Sequence, residues 1–125
     1  MNIKLLIIFS VVLLTLDIFW LYYFGKTFGK MIENIQGSPM KLNYIGAFFA
    51  YLIMIIAYIN LTYDNDKPNY IKGAILGLAM YGVYDFTNYA TLTGYDPKIF
   101  LIDIGWGVFL SVASLFITDL IYKNI

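Results

Sequence analysis

Asp17, Asp85 and Asp103 each fall inside a long apolar stretch. A charged side chain near the middle of a membrane helix costs about 2.5–3.5 kcal/mol on insertion scales, so such residues face the interior of a bundle and pair with something. Their companions are polar and aromatic. Asp17-Ile18-Phe19-Trp20 is echoed by Asp103-Ile104-Gly105-Trp106, and in both a Trp follows the Asp by three positions, on the same helical face. Around Asp85 stand Tyr81, Tyr84, Thr87 and Asn88. Carboxyls in such company have two uses. They can accept hydrogen bonds from Tyr, Thr, Asn and the indole groups and so fasten helices together. They can also bind a cation or pass a proton, because three like charges with no buried cation cannot all ionise.

The remaining composition narrows the chemistry. The chain has no His and no Cys. That removes the commonest general base, the thiolate metal sites and any disulfide. No catalytic residues and no cofactor are expected, and an enzyme is not the reading; whether the acids take a metal ion is left open by the residue types. Eight acidic residues balance eight basic ones, all of them Lys. No basic stripe is present to hold nucleic acid.

The elements that must position these acids are membrane helices. Hydrophobic residues make up 61% of the chain and charged residues only 13%, against about 25% charged in soluble domains. Four segments approach the roughly 20 apolar residues a span needs: about 3–24, 43–63, 70–91 and 99–122. Turn chemistry or charge bounds each one, through Gly25, Lys26, Gly29 and Lys30, then Gly37 to Pro39, Asp64 to Pro68, and Gly94 to Pro97. Backbone groups in lipid must be satisfied internally, so the expected fold is all-α, a membrane-spanning antiparallel four-helix bundle in one domain over 1–125. The first stretch lacks a small-x-small cleavage site and reads as a retained helix. Phe28, Met31, Ile32 and Ile35 predict a separate short amphipathic helix at the interface. Tyr22, Tyr23, Tyr44, Tyr63, Tyr70, Tyr95 and Tyr122 cluster at span ends as an aromatic belt.

Depth brings the acids together. At 1.5 Å per residue, Asp17 and Asp85 lie about 5 Å past the centres of two parallel spans. Asp103 lies about 10 Å from the centre of a reversed one, displaced toward the same membrane face. In the third helix Gly73 and Gly77 form a GxxxG step for close approach. In the fourth, Gly107, Ser111 and Ser114 continue the face begun by Asp103.

The stretch from Gly77 to Gly107 resembles the domain-of-unknown-function family 2177. Tyr84, Asp85, Thr87, Asn88, Ala90, Thr91 and Leu92 match one block, and Asp103, Trp106 and Gly107 a second. Asp17 with Trp20, and Phe28 with Gly29, are similar to the family's earlier motifs, while Tyr95 stands where the family often has Trp. The resemblance implies a small four-helix membrane protein of bacteria or of large DNA viruses with an internal lipid membrane. The leading expectation is therefore a structural or assembly component, in a virion a minor capsid component of the internal membrane. Its partners would be the lipid bilayer and other membrane or capsid proteins, or further copies of itself. The competing expectation is a small proton- or cation-coupled transporter working through the Asp cluster.

Overall fold

The computed structural model describes residues 2–125. Four helices follow in order: α1 (Ile3–Gln36), α2 (Tyr44–Leu61), α3 (Tyr70–Thr91) and α4 (Pro97–Tyr122). Each begins on an Asn or Asp cap whose side-chain oxygen accepts a backbone N–H of the first turn. Asn2 serves Leu5, Asn43 serves Gly46, Asn69 serves Lys72 and Asp96 serves Lys98. Pro97 opens α4, where its missing N–H is no loss. Between α2 and α3 the chain folds into a two-residue hairpin pairing Tyr63 with Pro68 and Asp64 with Lys67. Its tip, Asn65 and Asp66, takes left-handed angles of 53° and 62°, which Asn and Asp tolerate.

The helices form an antiparallel bundle, and α1, α2 and α4 are long and apolar enough to cross a membrane. The third expected span, α3, falls short of that measure. Lys72, Asp85, Thr87, Asn88 and three glycines dilute its apolar character.

The first helix departs from expectation most. The predicted break at Gly25 to Lys30 and the separate interfacial helix after it are absent; α1 runs unbroken for 34 residues. A glycine in a helix costs about 1 kcal/mol relative to Ala and does not by itself end one. No proline intervenes before Pro39, and the helix stops at Gly37 in the left-handed conformation. Packing supports the extension. Met31 is buried with Tyr95, Phe100 and Ile104, and Phe28, Ile32 and Ile35 pack around them. The amphipathic stretch thus lies against the α3–α4 corner, and Tyr95, 2% exposed, belongs to this core instead of an aromatic belt.

Helix α4 is the centre of the bundle, packed broadly against α3 and α1. Its buried face runs Asp103, Gly107, Ser111, Ser114 and Thr118. The expected GxxxG contact is made here. A methyl group on Gly77 would collide with the Gly107 carbonyl and Ser111 Oγ, and one on Gly73 with Leu115. Helix α2 is the loosely held member. It joins the main core through Ile55, Tyr58 and Ile59, but its connection to α3 does not produce broad contact between the two. Met80, Tyr81 and Tyr84 of α3 stand between them and leave a groove.

Candidate functional site

The echoed motifs of α1 and α4 meet in a reciprocal arrangement. Trp106 Nε1 donates to Asp17 Oδ1 at 3.0 Å, and Trp20 Nε1 donates to Asp103 Oδ1 at 3.3 Å. Each indole thus serves the acid of the opposite helix. The rings stack at 4.7 Å and 3° between planes. Phe24 extends the stack from Trp20 at 4.4 Å, and Phe109 packs against Trp106 at 5.5 Å. The (i, i+3) spacing makes this possible, because it sets each Trp one turn beyond its Asp on the same face.

Asp17 has a second donor, the Tyr51 hydroxyl of α2, on its other oxygen. Asp103 has the Asp85 carboxyl as a neighbour. Asp85 is fully buried; its Oδ1 accepts from the Tyr95 hydroxyl at 2.6 Å, while Oδ2 has no partner. Asn88, one turn beyond Asp85, extends its Nδ2 toward the Tyr95 oxygen at 3.4 Å. Asp17 and Asp103 border one cavity, and Asp85 neighbours Asp103. The three acids are not equivalent: Asp17 has a donor on each oxygen, whereas the Asp85–Asp103 pair is short of donors.

Other expected members scatter. Tyr81 packs its ring on the Gly107 backbone between the acids. Tyr84 is 54% exposed and lines the mouth of the groove. Thr87 does not reach the cluster; it is exposed, and only its carbonyl is engaged, by Thr91 Oγ1 at 2.9 Å. Two positions along a helix from Asp85 is about 200° around it, so Thr87 faces the other way. Tyr51 and Tyr95, the two hydroxyls that touch the acids, were not among the expected members. Tyr51 and Tyr58, seven apart in the most apolar helix, were the available signal, since a buried Tyr seeks a partner for its hydroxyl. Tyr58 meets Ser111 on α4.

Among the described residues no protein cation pairs with these carboxyls. All eight lysines are exposed. The ion pairs among the described residues, Lys72 with Asp64 and Lys123 with Asp119, stand apart from the three acids. Nor, among the described residues, do three or more acids gather in an arrangement that could hold a metal ion. Two facing carboxyls without a lysine can be joined only by a proton on one of them or by a cation from outside.

Two cavities reach Asp103. One of about 370 Å³ lies between Ala50, Ile53 and Met54 of α2 and Met80, Tyr81 and Tyr84 of α3, with Asp103 at its floor. A second, of about 180 Å³, shares Tyr81, Tyr84 and Asp103 and continues past Asp17, Trp20 and Phe24. In the turn between α3 and α4, burial first, and then its bond to Asp85, push the Tyr95 phenol above its ordinary range, so it remains a donor.

Apolar helices gathered around buried carboxyls define a helical membrane protein with a polar centre. A family model described as "Predicted membrane protein (DUF2177)" matches residues 2–120, and the chain belongs to that family. No curated protein and no solved structure matches it.

Proposed function

We propose that the chain is a multi-pass membrane protein, with α3 crossing beside the three more apolar helices, and that it works as a small proton- or cation-coupled transporter. It is read as non-enzymatic. One observation carries this: Asp85 and Asp103 are buried and have no basic partner among the described residues, Asp85 Oδ2 has no donor, and Asp103 lines a groove. Helix fastening alone does not account for it. Asp17 has fastening donors on both oxygens, but Asp85 has donors on one side only. In low dielectric an unpaired carboxyl oxygen is a penalty that a function can justify.

The test is thermal unfolding of the purified chain in lipid nanodiscs, from acid to alkaline pH and with added cations, for wild type, Asp85→Asn and Asp103→Asn. A pH or cation transition present only in wild type is the expected result. Proton-coupled uptake into proteoliposomes that Asp85→Asn leaves unaffected would sink the transport reading.

A structural or assembly component is the second reading, and α2 favours it. Ile45, Phe48, Phe49, Leu52 and Ile56 are exposed on a helix held lightly by its own bundle, a surface suited to a protein partner. Variants at the acids that fold and assemble normally, with no cation response, would move the weight to this reading.

A further inference from the structure

We infer that the groove between α2 and α3 binds a lipophilic organic cation: a delocalised or shielded positive charge on an apolar body, entering sideways from the bilayer and setting its charge near Asp103. This rests on reading the acid cluster as a cation site and names the ligand class for it. The groove volume of about 370 Å³ lies within the ~300–1,000 Å³ typical of small-molecule pockets.

The lining chooses the ligand. Asp103 is the one charged residue among the residues that form the groove, and among the described residues no basic group pairs with it. Beside it, Asp85 Oδ2 is fully buried and unpaired. The walls are alanine, isoleucine, methionine and tyrosine, which suit an apolar body and offer no oxygen cage for an inorganic ion. Tyr81 and Tyr84 border both cavities, and Trp20 follows in the second; aromatic faces attract a cation by their quadrupoles, more strongly when it is desolvated. The groove is open where Ile53 and Tyr84, two of its lining residues, are 64% and 54% exposed. A ligand dissolved in the bilayer meets this opening directly. When the Asp85–Asp103 pair holds a proton, arrival of the organic cation releases it, so one positive charge enters as one leaves.

The test uses the full chain in lipid nanodiscs with tetraphenylphosphonium as the cation and triphenylphosphine oxide as a neutral control of related shape. Tryptophan fluorescence reads binding, because Trp20 is bonded to Asp103, and a pH indicator in weak buffer reads the proton. Saturable cation binding with proton release is expected, with the neutral compound weaker by about tenfold or more. Asp103→Asn should weaken the cation to a similar degree and abolish the release. Ala50→Trp fills the groove and leaves the carboxyls in place; it should weaken binding while the empty protein keeps its pH transition. Equal binding of cation and neutral compound, or wild-type binding by both variants, overturns the proposal. If wild type does not bind the cation but shows a pH transition that Asp85→Asn loses, the groove assignment falls and the proton reading stands. If that transition is absent as well, both fall.

Discussion

Trp20 and Trp106 lie face to face, 4.7 Å apart and within 3° of parallel, and each donates its indole N–H to the aspartate that precedes the other. The two Asp-Ile-x-Trp segments belong to antiparallel helices, so a local two-fold relation passes between the rings. A four-residue echo too short to establish a duplication is here the smallest unit that can clasp two helices symmetrically.

The clasp should behave as one cooperative unit. Trp20→Phe and Trp106→Phe each remove one N–H and keep a stacking ring. Each is expected to destabilise the fold by about 1–3 kcal/mol, the range for leaving a buried acceptor without its donor. The double variant should depart from the sum by about 0.5 kcal/mol or more. Unfolding in detergent micelles measures this, and additive effects would show two independent bonds.

Glycines of the bundle should separate sharply in their response to alanine. Gly77→Ala drives a methyl into the Gly107 carbonyl and Ser111 Oγ, whereas at Gly105 the same methyl meets nothing within 4 Å. Overpacking costs about 1–3 kcal/mol, and a helix gains roughly 0.5–1 kcal/mol from Gly to Ala. Gly77→Ala should therefore lower the unfolding temperature and Gly105→Ala hold or raise it. The same response from both would contradict the α3–α4 contact.

Tyr95 should impose an alkaline limit on stability. Burial, and then the bond to Asp85, raise its phenol above the ordinary 10.0, so the folded state holds this proton more tightly than the unfolded chain. The contribution is complete below pH 10.0 and is lost as pH climbs beyond it. Other tyrosines share the alkaline range, so the readout is the difference between wild type and Tyr95→Phe. That difference should shrink above pH 10.0; a constant gap would mean the hydroxyl contributes no linkage.

Helix α2 should loosen when Tyr51 loses its hydroxyl. Its polar ties to the bundle are Tyr51 to Asp17 and Tyr58 to Ser111. The chain has no cysteine, so Met54→Cys places a unique thiol on the bundle side of α2. Its maleimide labelling should speed up several-fold in a Tyr51→Phe background. Unchanged labelling would place the hold on α2 in the apolar contacts of Ile55 and Ile59.

Much of this was legible because it depends on periodicity and depth. The ends of α3 are those expected from the apolar pattern, and α2 and α4 differ by no more than two residues at either end. Counting residues along antiparallel rods sets Asp17 and Asp103 at the same membrane face, and both line one cavity. Gly73 and Gly77 announced the close approach to α4. The rest turned on tertiary context. Gly25 and Gly29 looked like an ending, but packing of Met31 and its neighbours outweighs glycine's local preference. Tyr95 read as an interfacial ring because a tyrosine beside a span has the same composition whether it faces headgroups or folds inward. Thr87 was grouped with Asp85 by proximity in sequence, which a helix does not respect at a spacing of two.

The unbroken length of α1 has a mechanical consequence. Thirty-four residues make a rod of roughly 50 Å, longer than the ~30 Å hydrocarbon layer. One stretch of it holds Asp17, and the overhang holds the corner that carries Tyr95, the donor to Asp85. Two of the three acids are thus tethered to the same stiff lever, one directly and one through its far end. A tilt of α1 cannot move Asp17 without also moving the hydroxyl that serves Asp85.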